Sequence, residues 1–265
     1  MTKKSGPKKK TAARAPRRLP RIEKFDLEPG RTLGGTYRVE NYLGGGYEGE
    51  VYRISEIRTG VPRTAKLFFP HRNEKDKQAR EFARKLERLR DCSMVIQYHH
   101  AETIQFQRQK ITCLISEYVE GVRLSSYIKS HPGGRIAPYK ALNIIYALAR
   151  GVDQIHWKRE YHGDLHTDNI LIRPRGILFD IKLVDFYNLG RWSKERRAVD
   201  IIEMVQVLYE MIGGKKWYAK MPQEIKDVCR GLRHDLILRS FPTTRHLIEH
   251  LESFETEFYD DPRAR

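Results

Sequence analysis

Asp164 and Asn169 stand five residues apart in the stretch Tyr161-His162-Gly163-Asp164-Leu165-His166-Thr167-Asp168-Asn169-Ile170-Leu171-Ile172, between a turn-prone glycine and a β-prone apolar run. On a loop, such a pair can serve two ends of one small reaction. The Asp164 carboxylate can accept a proton from an attacking hydroxyl, and the Asn169 amide oxygen can ligate a hard cation such as Mg²⁺. A second aspartate, Asp185, closes the apolar run Ile181-Lys182-Leu183-Val184 and offers another hard-metal ligand. Taken singly, a His-x-Asp is only a polar turn entering a strand, so the surrounding elements decide its meaning.

Those elements begin with short β-rich runs over Thr36 to Leu43, Gly49 to Ser55 and Val61 to Phe69. Gly44-Gly45-Gly46-Tyr47-Glu48-Gly49 joins the first two and is followed by Val51, a Gly-x-Gly-x-x-Gly-x-Val pattern set between two strands. A dinucleotide fold would need a helix after it. In a hairpin, the glycines let the backbone close over phosphate groups, and Val51 supplies an apolar surface for a base. Lys66 lies inside the third run, where it needs a partner if the strand is buried and points to solvent if the strand is an edge. Asn73 to Asp91 reads as a helix capped by Asn73, with Ala79, Phe82, Leu86 and Leu89 on its apolar face. Glu81 borders that face and can reach back to Lys66; Glu74 and Glu87 are alternatives. Strands near Ile104 to Gln107 and Ile111 to Tyr118 follow, the latter turning at Glu117-Tyr118-Val119 as a hinge would. Pro138 to His156 reads as a long amphipathic helix, and Ile201 to Gly213 as another.

Composition narrows the class. The chain has 265 residues, 40% of them hydrophobic, enough for one large domain or two small lobes. The longest apolar stretch, Ile201 to Ile212, is interrupted by Glu203, Gln206 and Glu210, so no membrane helix is expected. The charged start lacks the apolar segment of a secretory signal. Cys92, Cys113 and Cys229 have no metal-ligand spacing and read as free thiols in a reducing, cytoplasmic compartment. The net charge is +16, and residues 1–21 hold nine cations and no acid. That segment reads as a basic, disordered tail able to contact polyanions in a salt-dependent way.

Together, the glycine-rich loop Gly44–Val51, the strand lysine Lys66, the hinge at Glu117–Val119, His162-Gly163-Asp164 to Asn169, and Asp185-Phe186 resemble the protein-kinase-like superfamily over about residues 35–255. The resemblance implies an α+β bilobal fold: a tail over 1–22, a β-rich N-lobe over 23–120, a helical C-lobe over 121–256 and a C-terminal tail over 257–265. It further implies ATP between the lobes. Gly44, Gly45, Gly46, Tyr47, Glu48 and Gly49 would cover its phosphates, and Lys66, held by Glu81, would pair with them. Glu117 and Val119 would hold adenine, with Leu171 beneath it. Asp164 would activate the acceptor hydroxyl, Asn169 and Asp185 would hold Mg²⁺, and Asp200 resembles the buried aspartate that braces the catalytic loop.

The departures bear on the acceptor. Gly163 stands where most protein kinases have arginine, His166 where they have lysine, and Tyr187 where they have glycine. Aligning the helix on Leu86 and Leu89 puts Phe82 at the acid's position. The segment from Asp185 to Asp200 is short, lacks Ala-Pro-Glu, and carries Arg191, Lys194, Arg196 and Arg197, which favours an acidic or phosphorylated acceptor. Phe241 replaces the arginine that pairs with the missing glutamate. The pattern implies a compact serine/threonine protein kinase of bacterial style, with a small-molecule kinase or a nucleotide-binding pseudokinase scaffold as alternatives.

Overall fold

The computed structural model describes residues 20–254 apart from 177, 188 and 189. Most of the basic segment and the C-terminal tail therefore lie outside the described residues. Six strands form an antiparallel sheet in the order β1-β2-β3-β4-β6-β5: β1 Thr32–Leu33, β2 Tyr37–Gly45, β3 Gly49–Glu56, β4 Pro62–Phe68, β5 Tyr98–Phe106 and β6 Gln109–Glu117. Alternation sets the faces. Tyr37 and Val39 of β2 are buried, as are Tyr52 and Ile54 of β3, while Arg38 and Arg53 between them are not.

Ile22, Phe25 and Leu27 cover one face of the sheet. The Phe25 ring stacks on Phe69 at 5.3 Å and meets Phe106 edge-on at 5.3 Å. Ile22, placed by sequence in the basic tail, is thus core: its neighbours are charged, but it and Phe25 bury an apolar stripe.

The helix expected over Asn73 to Asp91 is α1, Lys77–Arg88, entered through a 3₁₀ turn at Glu74–Asp76. Asn73 does cap it, accepting the Ala79 amide at 3.1 Å. Ala79, Phe82, Leu86 and Leu89 join Phe68 and Leu114 from the sheet in the same core as the helical half. The helix therefore packs as a bridge between the two halves.

After β6 the chain makes β7 (Val122–Arg123), α2 (Leu124–Lys129) and the long α3 (Pro138–Trp157), which is buried along Ile144, Leu148, Val152 and Ile155. β7 pairs with β8 (Ile170–Arg175), and β8 with β9 (Leu178–Leu183). Sequence placed a break at Pro174 and Gly176. Pro174 instead sits within β8, opposite Phe179, and Gly176 lies in the connection to β9. α4 spans Lys194–Met211 and so starts seven residues before the expected Ile201. Ser193 explains the early start, since its hydroxyl accepts the Arg196 amide at 3.3 Å ahead of good helix formers. Lys194, Arg196 and Arg197 consequently lie on a helix, and only residues 186–193 connect Asp185 to it. Short helices α5 (Lys215–Tyr218), α6 (Gln223–Cys229), α7 (His234–Ser240) and α8 (Thr244–Glu252) complete the helical half. Among the described residues, no helix is long and apolar enough to cross a membrane.

Candidate active site

Between the sheet and the helical half lies a cleft of about 610 Å³. The hairpin turn 44–49 and Val51 roof it. Lys66, Glu117 and Val119 line its back, and Asp164, Asn169, Leu171 and Asp185 form its floor. The structure thus brings together every site residue picked from the sequence except Glu81, which lines a small adjoining pocket with Tyr47, Arg72 and Gln78. Gly49 is required in the turn: a Cβ there would fall 1.9 Å from the Leu67 carbonyl oxygen on β4.

The Lys66 ammonium bonds Glu48 Oε2 at 2.9 Å and Asp185 Oδ1 at 3.3 Å. Burial opposes its charge, but Asp185 and then Glu48 outweigh that effect and raise its pKa. The expected pairing with Glu81 is corrected here. From α1 it is the Phe82 ring that meets the ammonium, at 4.5 Å, and the acid comes from the glycine-rich turn. The helix phase decides this, because Phe82 follows Ala79 and precedes Leu86 on the inward face, with Glu81 one residue off it.

Asn169 Nδ2 donates to the Asp164 carbonyl at 2.9 Å and to Asp164 Oδ2 at 3.3 Å. That commits the amide nitrogen and leaves the oxygen as the ligand atom for a cation. His166 Nε2 lies 3.7 Å from the same Asp164 oxygen. Asn169 and Asp185 supply hard oxygens and few charges, which suits Mg²⁺ completed by phosphate oxygens better than an all-protein cage. Among the described residues, no group of three or more His, Cys, Asp or Glu could hold a metal without such help.

The loop 161–169 is shaped from below by α3 and α4. Asp200, fully buried, accepts the amides of His162 and Gly163 at 2.8 Å each and bonds His156 Nε2 at 2.9 Å. Thr244 holds the other nitrogen of His156 at 2.7 Å. Gly163 has φ +83, and a Cβ there would lie 2.9 Å from the Tyr161 ring, so the glycine in place of arginine follows from this loop's own packing. Glu203 accepts the Leu165 amide at 2.8 Å, and Glu210 accepts the Thr167 hydroxyl at 3.0 Å. Burial pushes the Glu203 carboxyl up to about 7, reinforced by the charge of Asp200. Sequence reasoning read Glu203 only as a break in an apolar run; its spacing from Asp200 along the helix was the available signal.

His162 faces the Val184 carbonyl through Nε2 at 3.0 Å, so that nitrogen carries the proton, while Nδ1 accepts the Asp164 amide at 3.3 Å. Burial pushes the imidazole down to about 4 from 6.5, outweighing the attraction of Asp200. A lowered folded pKa means stability that is full above 6.5 and is lost as pH falls toward 4. The swing is about 3 kcal/mol. Urea unfolding of wild type and His162→Gln between pH 7 and pH 4 should show the steeper decline in wild type. Parallel curves would remove His162 from the account.

Residues 37–219 match the family model described as protein kinase domain. The serine/threonine-protein kinase PrkC of Bacillus subtilis is 28% identical over 160 residues, which is 59% of this chain and 23% of PrkC. The probable serine/threonine-protein kinase YbdM of the same organism is 24% identical over 203 residues, covering 72% of this chain and 76% of that protein. The chain thus spans about a quarter of PrkC and 18% of the Myxococcus xanthus serine/threonine-protein kinase pkn2. Among solved structures, the Mycobacterium tuberculosis PknI kinase domain superposes with a TM-score of 0.64 at 17% identity, over 86% of this chain and 98% of that one.

Proposed function

The chain belongs to the protein kinase domain family, and from that premise we propose that it transfers the γ-phosphate of ATP, in the presence of Mg²⁺, to a serine or threonine hydroxyl of a protein. The observation that carries this reading is the convergence of Lys66, Asp164, Asn169 and Asp185 on one cleft beneath a glycine-rich turn. Adenine would lie between Val51 and Leu171, against the backbone of Glu117 and Val119. The turn 44–49 would close over the phosphates, and Lys66 would exchange Glu48 for them. Asn169 and Asp185 would hold Mg²⁺, which offsets phosphate charge when bound. Asp164, steered by Asn169 and His166, would orient the acceptor hydroxyl and take its proton.

Two features support a protein acceptor. β8 starts directly after Asn169, so no inserted helix walls the cleft there. The connection 186–193 is brief and ends beside the exposed cations Arg191 and Lys194, which would draw an acidic segment. The serine/threonine names of PrkC and YbdM agree with that choice.

The test is incubation of purified chain with γ-labelled ATP, with and without EDTA, alone and with cell extract split into protein and small-molecule fractions. Label should enter protein hydroxyls only when Mg²⁺ is free. Label confined to small molecules would move the acceptor class, and nucleotide binding with no transfer to any acceptor would make the chain a scaffold.

A further inference from the structure

We propose that Lys85 is a positioning residue that fastens α1 to the Asp185-Phe186-Tyr187 turn and so keeps the Asp185 carboxylate in the cleft. The inference rests on the reading of Asp185 as a cation ligand. Lys85 sits on the inward face of α1, three residues past Phe82, where the apolar stripe calls for an aliphatic side chain. It is 2% exposed. Its ammonium donates to the Tyr187 carbonyl at 3.0 Å and lies 3.9 Å from the centroid of the Tyr161 ring and 5.6 Å from that of Phe186. Glu160 and Asp200 attract it from a distance and Arg88 repels it, yet among the described residues it makes no salt bridge. Burial draws the amine down to about 8, which leaves it charged at neutral pH.

A buried ammonium without a carboxylate in contact is costly, and an apolar side chain of similar length would fill the space at less expense. Stability therefore does not account for the lysine; what it touches does. Asp185 adopts φ +55, a left-handed conformation that persists in a non-glycine residue only when its surroundings impose it. The turn after it is clamped at both ends. The Tyr187 amide donates to the His162 carbonyl at 3.0 Å, and the Tyr187 carbonyl receives Lys85. Phe186 is buried between them, its ring 4.5 Å from that of His162. α1 is itself tied to the catalytic loop by Arg88 and Glu160 at 2.5 Å. With Phe82 facing Lys66 in place of an acid, α1 has no ion pair to Lys66, and Lys85 supplies the link between this helix and the metal-side aspartate.

Lys85→Met and Lys85→Arg in the full chain test this. Lys85→Met should unfold in urea no earlier than wild type and bind ATP without Mg²⁺ equally well. Its kcat should fall about tenfold or more and its half-saturating Mg²⁺ rise severalfold, as expected when a reacting group is misplaced by a fraction of an ångström. Amide exchange at Tyr187 should speed up by about tenfold as the clamp opens. Lys85→Arg, which keeps the charge, should recover most of each loss. Unchanged kcat, Mg²⁺ dependence and Tyr187 exchange in Lys85→Met would overturn the proposal. So would a loss of stability with unchanged kcat per folded molecule. If wild type itself transfers no phosphate, the phosphotransfer reading fails, and Tyr187 exchange still decides whether Lys85 holds the turn.

Discussion

Asp164→Asn should lower kcat by about a thousandfold while changing ATP affinity by no more than about twofold, within the range general-base removal produces. The substitution is nearly isosteric. Asn169 Nδ2, now 3.3 Å from the Asp164 carboxylate, can donate equally well to an amide oxygen, so the loop keeps its shape. The loop amides that Asp200 and Glu203 hold are not touched by the change. What is lost is the negative charge and the proton acceptor in a half-exposed position on the cleft floor. A thousandfold loss corresponds to about 4 kcal/mol of transition-state stabilisation, too much to come from a shifted hydrogen bond alone. Initial rates against ATP concentration, paired with direct nucleotide titration, separate the two quantities. A variant working within a few-fold of wild type would mean that Asp164 is not the proton acceptor.

The sequence made the cleft legible because its residues are fixed by chemistry rather than by packing. Asp164, Asn169 and Asp185 keep their types and order whatever surrounds them, and a glycine-rich turn between two strands has few other uses. Packing decided the rest, and there the sequence misled in identifiable ways. Glu81 was drawn to Lys66 by charge alone, but one residue of helix phase puts Phe82 inward and turns the pairing over to Glu48. Lys85 was invisible because a lysine on a helix is by default solvated; only its place three residues past Phe82, in the apolar stripe, marks it. Ile22 was lost in a run of cations whose charge says nothing about one apolar side chain. α4 begins at Lys194 rather than near Ile201 because a serine cap and charged helix formers precede the apolar periodicity that pattern reading relies on.

Asp200→Ala should cost about 3–5 kcal/mol of folding stability, the range seen when one partner of a buried charged network is removed. Asp200 is fully buried, and its two oxygens accept two backbone amides and an imidazole nitrogen from two different elements. Burial alone would raise its pKa, but the His156 hydrogen bond and the charges around it more than reverse that, so the carboxyl sits below its ordinary value. A lowered folded pKa places its contribution in full at neutral pH and removes it on acidification through the folded value, below the ordinary 3.8. Alanine would leave the His162 and Gly163 amides and the His156 ring without their acceptor in a site closed to water. Asparagine would do little better, since its NH₂ group must face one of three donors. The damage would spread to the chemistry, because the orphaned amides directly precede Asp164 and set where its carboxylate points. Urea unfolding at pH 7 should show the midpoint displaced by the full amount. Transfer activity in the remaining folded fraction should fall as well. A loss below about 1 kcal/mol, no more than one ordinary hydrogen bond, would show that the loop keeps its shape without Asp200.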